Sequence, residues 1–177
     1  MGHLFIGVLM AAGWLHAMPL ISPFDAIKQS YGHNGVHISK KNLLLTNKEA
    51  LAVSALAKVR MTSKIYRIFK VSDANGIHAF GVLITKKVRS KNAAVLYLIE
   101  HDTGMLKSIE IVAFNEPSEY IPSKRWLQQF DGKKSGDVLR VGTNIPTITG
   151  ATMSARTLTD GARLALAIYE IVLRGKP

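Results

Sequence analysis

The chain has 177 residues, 47% of them hydrophobic, which suits one globular core and excludes a disordered chain. It has no cysteine, so disulfides, thiolate metal sites and a cysteine nucleophile are excluded. Against 12 Asp+Glu it carries 23 Lys+Arg, a formal net charge of +11 that favours anionic partners, yet the bases are scattered in pairs such as Lys40-Lys41, Lys86-Lys87 and Lys133-Lys134. With no dense basic helix and no aromatic-studded basic motif, a nucleic-acid partner is not expected.

Residues 1–24 contain no Lys, Arg, Asp or Glu. The run Leu4 to Leu15 has the length of a signal-peptide hydrophobic region, with small residues at Ala11, Ala12, Gly13 and Ala17, although a basic leader is missing. Pro19 and Pro23 interrupt the stretch before it reaches the length of a membrane span. The expectation is a signal peptide or N-terminal anchor over 1–24. The protein would then be exported, to the periplasm or the outer face of the cytoplasmic membrane. A polar, glycine-bearing linker over 25–42 and one domain over 43–177 are expected to follow.

Thr46 followed by Glu49 fits a capping box, and Ala50, Leu51, Val53, Ala57 and Met61 follow at helical spacing. Four β-rich runs come next: KIYRIFKV, apolar on both faces, then HAFGVLIT, AAVLYLIE and LKSIEIVAF. Asp73 to Gly76 and His101 to Gly104 are turn signals between them. After Phe114 come two prolines, a short helical piece from Ser123 to Phe130 and a Gly/Lys/Ser loop. A last helix is expected from about Thr152 to Arg174, with Met153, Leu158, Leu164, Ala165, Ile168 and Val172 on one apolar face and Gly175 as its stop. The fold class is α+β: an antiparallel sheet flanked by helices, with the C-terminal helix following a Thr-Gly-Ala-Thr segment.

His33 and His37 are four apart, but Gly32, Asn34 and Gly35 break a helix there and no third ligand is nearby, so no metal site is expected. Nucleophile elbows, Walker loops and dinucleotide fingerprints are absent. Thr149-Gly150-Ala151-Thr152 stands at the mouth of the last helix. Two readings compete: hydroxyls capping the helix, or a phosphate seat in which free N–H groups and the helix dipole meet an anion, with Gly150 allowing close approach.

The segment resembles the flavinylation motif of the FMN-binding domain family, which includes the C subunit of the sodium-pumping NADH:quinone reductase and the Rnf G subunit. That motif has the form Asp-x-x-(Ser/Thr)-Gly-Ala-Thr, often followed by x-Ser. Here Thr149, Gly150, Ala151, Thr152 and Ser154 match it, and Pro146 stands at the acidic position. Upstream, Glu116, Glu119 and Tyr120 precede RWLQQFDGK, Arg125 to Lys133, which resembles a segment of single-domain relatives. The resemblance covers about 43–173. It implies an electron carrier, rather than a stand-alone enzyme, holding FMN through a phosphoester on Thr152. It also implies a flavin transferase of the ApbE type and a membrane reductase, quinol or cytochrome as redox partner. Tyr120 and Trp126 are candidates to flank the isoalloxazine, with core packing the alternative for Trp126. Glu116 and Lys124 complete the expected cofactor environment. Because of Pro146, the alternative is non-covalent FMN binding or a flavin-free envelope module of the same fold.

Overall fold

The computed structural model describes residues 20–32 and 35–175. The expected export segment up to residue 19, and His33, lie outside them. Among the described residues no helix is long and apolar enough to cross a membrane, and no group of three or more His, Cys, Asp or Glu gathers as a metal site.

The sheet is an antiparallel meander in the order β1-β2-β3-β4-β5. Its strands are β1 (His37–Leu44), β2 (Ile65–Asp73), β3 (Gly76–Lys87), β4 (Asn92–Glu100) and β5 (Leu106–Phe114). The four strands and both turns expected from the sequence are present. β1 is a fifth strand, and with α1 (Pro23–Tyr31) it occupies the stretch expected as a linker. That correction has a physical cause. β1 is an edge strand whose HISKKNLL sequence lacks alternation and keeps Lys40 and Lys41 exposed, as edges that avoid further pairing do.

Helices cover both faces of the sheet. On one face Tyr66, Ile68, Phe80, Val82, Val95, Tyr97 and Ile111 meet α2 (Asn47–Ala57) and α4 (Thr152–Ile168). On the other, Phe69, Val71, Ala79, Leu96 and Leu98 pack under α1, which contributes Ala26 and Ile27. This second layer explains why β2 is apolar on both sides.

The capping box of α2 forms as expected: Thr46 Oγ1 accepts from the Glu49 N–H at 3.2 Å, and Glu49 Oε2 accepts from the Thr46 N–H at 2.8 Å. Leu51, expected on its apolar face, is 73% exposed. The last helix is α-helical to Ile168 and closes in a π turn, Tyr169–Leu173. All its expected apolar positions are buried except Met153, which is exposed. Tyr97 crosses the sheet–helix interface and donates its hydroxyl to the Leu158 carbonyl at 2.9 Å. Tyr169 donates to the His101 carbonyl, tying the far end of the helix to the β4–β5 turn.

Candidate functional site

α4 begins without a side-chain cap. Its N-cap residue is Ala151, and the first intrahelical bond runs from the Ala155 N–H to the Ala151 carbonyl at 3.1 Å. The hydroxyl-capping reading of this segment is therefore not realised: Thr149 is exposed and supplies no cap. The N–H groups of Thr152, Met153 and Ser154 precede that first bond, where the helix dipole is positive.

Gly150 has φ +79°, a conformation that favours glycine, and nothing within 4 Å of where a Cβ would sit. The backbone there is bare on its outer side. Thr152 is half-buried at the first helical position. Ser154 is 1% exposed and its Oγ has no hydrogen-bond partner among the described residues. A buried orphan hydroxyl costs free energy unless something satisfies it.

Contacts link three other segments, directly or through an intermediate, to the first turns of this helix or the chain leading into it. The β3–β4 turn touches it through Thr157 Oγ1, which donates to the Lys87 carbonyl at 3.5 Å. Glu116, 9% exposed, accepts from the N–H groups of Arg89, Ser90 and Lys91 at 3.0, 2.6 and 2.7 Å. Those backbone donors hold its carboxyl well below the ordinary range, at about 2. Glu116 thus clamps the β3–β4 turn: Oε1 takes the three backbone N–H groups, and among the described residues Oε2 accepts only from the Ser90 hydroxyl, at 3.3 Å. Tyr120 carries the Arg89 guanidinium 5.2 Å above its ring centroid. Arg89 is a contact that inspection of the sequence missed, because nothing local marks it.

Trp126 belongs to α3 (Lys124–Leu127). It is 8% exposed, packs edge-on to Phe130 at 5.3 Å and donates its indole N–H to the Pro146 carbonyl at 2.9 Å. It is a core residue whose polar end holds the chain just ahead of Thr149. Position 146, an exposed residue, is thereby used through its carbonyl. Lys124 is exposed and interacts electrostatically with half-buried Glu110, whose carboxyl burial pushes up. So Thr149, Gly150, Ala151, Thr152 and Ser154 lie together. Glu116 and Tyr120 are connected to them through the β3–β4 turn, Trp126 through Pro146, and Lys124 through none of these contacts.

Two outcomes follow. The Glu116 carboxyl titrates lower when folded than its ordinary 4.5, so its contribution is complete above about pH 4.5 and is lost as pH falls toward 2. Glu116→Gln is expected to lower the thermal midpoint at neutral pH and flatten its decline over that acid window, measured by thermal melts across pH. Trp126→Phe removes the bond to Pro146 and part of the buried ring system, leaving a small void beside Phe130. Pro146 is an exposed residue whose carbonyl then loses its donor, and with the lost ring volume the change is expected to cost about 2 kcal/mol in denaturant unfolding.

No protein-family model matches the chain, and no curated protein matches it. Among solved structures it is similar to the NqrC of Shewanella oneidensis, with a TM-score of 0.52, 16% sequence identity, and coverage of 84% of this chain and 85% of that one. At that identity the likeness is one of fold.

Proposed function

We propose that this protein is an extracytoplasmic electron carrier that holds FMN through a phosphoester on Thr152. The observation that carries the proposal is the start of α4: an uncapped helix N-terminus, a bare Gly150 and the buried, unpartnered Ser154 hydroxyl. This set fits a phosphate. N–H groups of the first turn face an anion, the helix dipole favours it, and Ser154 Oγ supplies a further donor. The fold likeness to an NqrC supports the same reading.

FMN, when bound, supplies reversible one- and two-electron transfer; this chain's residues position it. Thr152 Oγ1 is the attachment atom, and its partial exposure leaves it within reach of a flavin transferase. Arg89, held over Tyr120, brings a cation and an aromatic ring to the hairpin side. Trp126 is buried and positions the approach to the motif through Pro146, whereas Tyr120 is only partly buried. The basic chain, at +11, suits an acidic redox partner such as a membrane reductase or cytochrome. A second reading, reversible FMN binding without the ester, draws on Pro146 in place of the motif's acid.

The experiment is to produce the full chain with and without an ApbE-type flavin transferase and inspect the denatured band for flavin fluorescence. Fluorescence that depends on the transferase supports the ester. Flavin that binds the native protein and leaves on denaturation supports the second reading.

A further inference from the structure

Between the C-terminal end of α2, the 134–141 loop and the side of α4 that carries Arg156, Thr159 and Arg163 lies a cleft of about 780 Å³. That is within the range of roughly 300–1,000 Å³ for sites that take small organic ligands. Five cationic side chains line it: Lys58, Lys134, Arg140, Arg156 and Arg163. They come from three separate segments. Arg156, Thr159 and Arg163 repeat at helical spacing and form one wall.

The two carboxylates of the cleft are already committed. Asp137 Oδ2 accepts from the Lys134 backbone N–H at 2.9 Å. Asp160 pairs with Arg163 at 2.5 Å and lies 3.9 Å from Lys86. The side chains of Lys58, Lys134, Arg140 and Arg156 have no hydrogen-bond or ion-pair partner among the described residues. Arg163 keeps a buried Nε that donates to nothing. Cations gathered this way repel one another, and an anion relieves the repulsion.

Lys58 adds an independent observation. It is the one non-glycine residue with positive φ among the described residues, at φ 52° and ψ 39°, where it ends α2. Glycine or asparagine suits that position by backbone energetics. A lysine there places an ammonium at the cleft at the expense of local conformational preference. Buried Leu139 and Leu166 give the cleft an apolar lining beside its charges.

We infer that this cleft binds a small organic phosphate that carries at least two negative charges and an apolar moiety, at a site separate from the helix start at Thr152. Guanidinium forks match phosphate oxygens in pairs, which suits the three arginines. The leucine lining takes the apolar part. A concave, nucleotide-sized space favours such a ligand over the surface of a folded acidic protein.

The test is a titration of the full, isotopically labelled chain with ADP and, separately, with inorganic pyrophosphate, read by amide chemical shifts. Shifts are expected around 56–58, 137–141 and 156–163, with ADP tighter than pyrophosphate. Arg140→Gln and Arg156→Gln, both at exposed positions, are each expected to weaken ADP by about tenfold, the scale of one charge-assisted hydrogen-bond pair. Lys58→Gly is expected to weaken binding while leaving the thermal midpoint equal or higher, which a purely structural lysine would not do. Thr152→Val should leave ADP binding unchanged, so the two sites stand or fall separately. Shifts confined to 150–154, no shifts, arginine variants that bind as the parent does, or pyrophosphate as tight as ADP would each overturn the inference.

Discussion

Gly161→Ala is expected to destabilise the protein by about 3 kcal/mol, although alanine is the better helix former by about 1 kcal/mol. Gly161 lies inside α4 against Tyr97. A Cβ there would fall 2.1 Å from the Tyr97 hydroxyl and 2.7 Å from the ring carbon bearing it. Tyr97 is 1% exposed and cannot swing into solvent, and moving it breaks its bond to the Leu158 carbonyl. Steric overlap plus one lost buried hydrogen bond outweighs the propensity gain. Denaturant unfolding measures the loss. In a Tyr97→Phe background the 2.1 Å contact is gone, so the alanine should cost less there, a non-additivity that a double-mutant cycle resolves.

Thr152→Val is expected to abolish covalent flavin completely while leaving folding within about 0.5 kcal/mol of the parent. Valine is near-isosteric, and Thr152 Oγ1 makes no hydrogen bond among the described residues that the change would break. Ser154→Ala separates the roles further. Removing a buried hydroxyl without a partner is expected to stabilise the flavin-free protein by up to about 1 kcal/mol, while weakening flavin retention, because the same hydroxyl is a donor to the phosphate. Opposite signs in the two measurements are what a ligand-facing hydroxyl requires. A capping or packing hydroxyl would lower both.

The sheet was legible because β2 to β5 have dense apolar runs bounded by turn residues. α1 and β1 were not, because their signals are weak: α1 buries only Ala26 and Ile27, and β1 is a polar edge. A clue to them was nonetheless present in β2, whose residues Ile68 and Phe69 point to opposite faces and are both buried. A sheet apolar on both sides needs cover on both sides, and the stretch ahead of Leu43 had to help provide it. The Thr149 to Ser154 segment was legible as a candidate site because its chemistry is contiguous. Glu116 belongs to the expected cofactor environment only through the family resemblance of its segment. Its actual partners, the N–H groups of residues 89–91, lie 25–27 positions away, and backbone donors leave no mark in side-chain identity. Trp126 left two readings open, and its burial with an indole bond to Pro146 supports core packing.

The central claim is most directly tested by peptide mass spectrometry of the full chain produced with a flavin transferase. Trypsin releases residues 141–156, between Arg140 and Arg156, a peptide that contains Thr143, Thr147, Thr149, Thr152 and Ser154. Fragment ions that gain the mass of one FMN phosphoester between Ala151 and Met153 are the expected result. An unmodified peptide under every condition, or an adduct on any other hydroxyl, would contradict it.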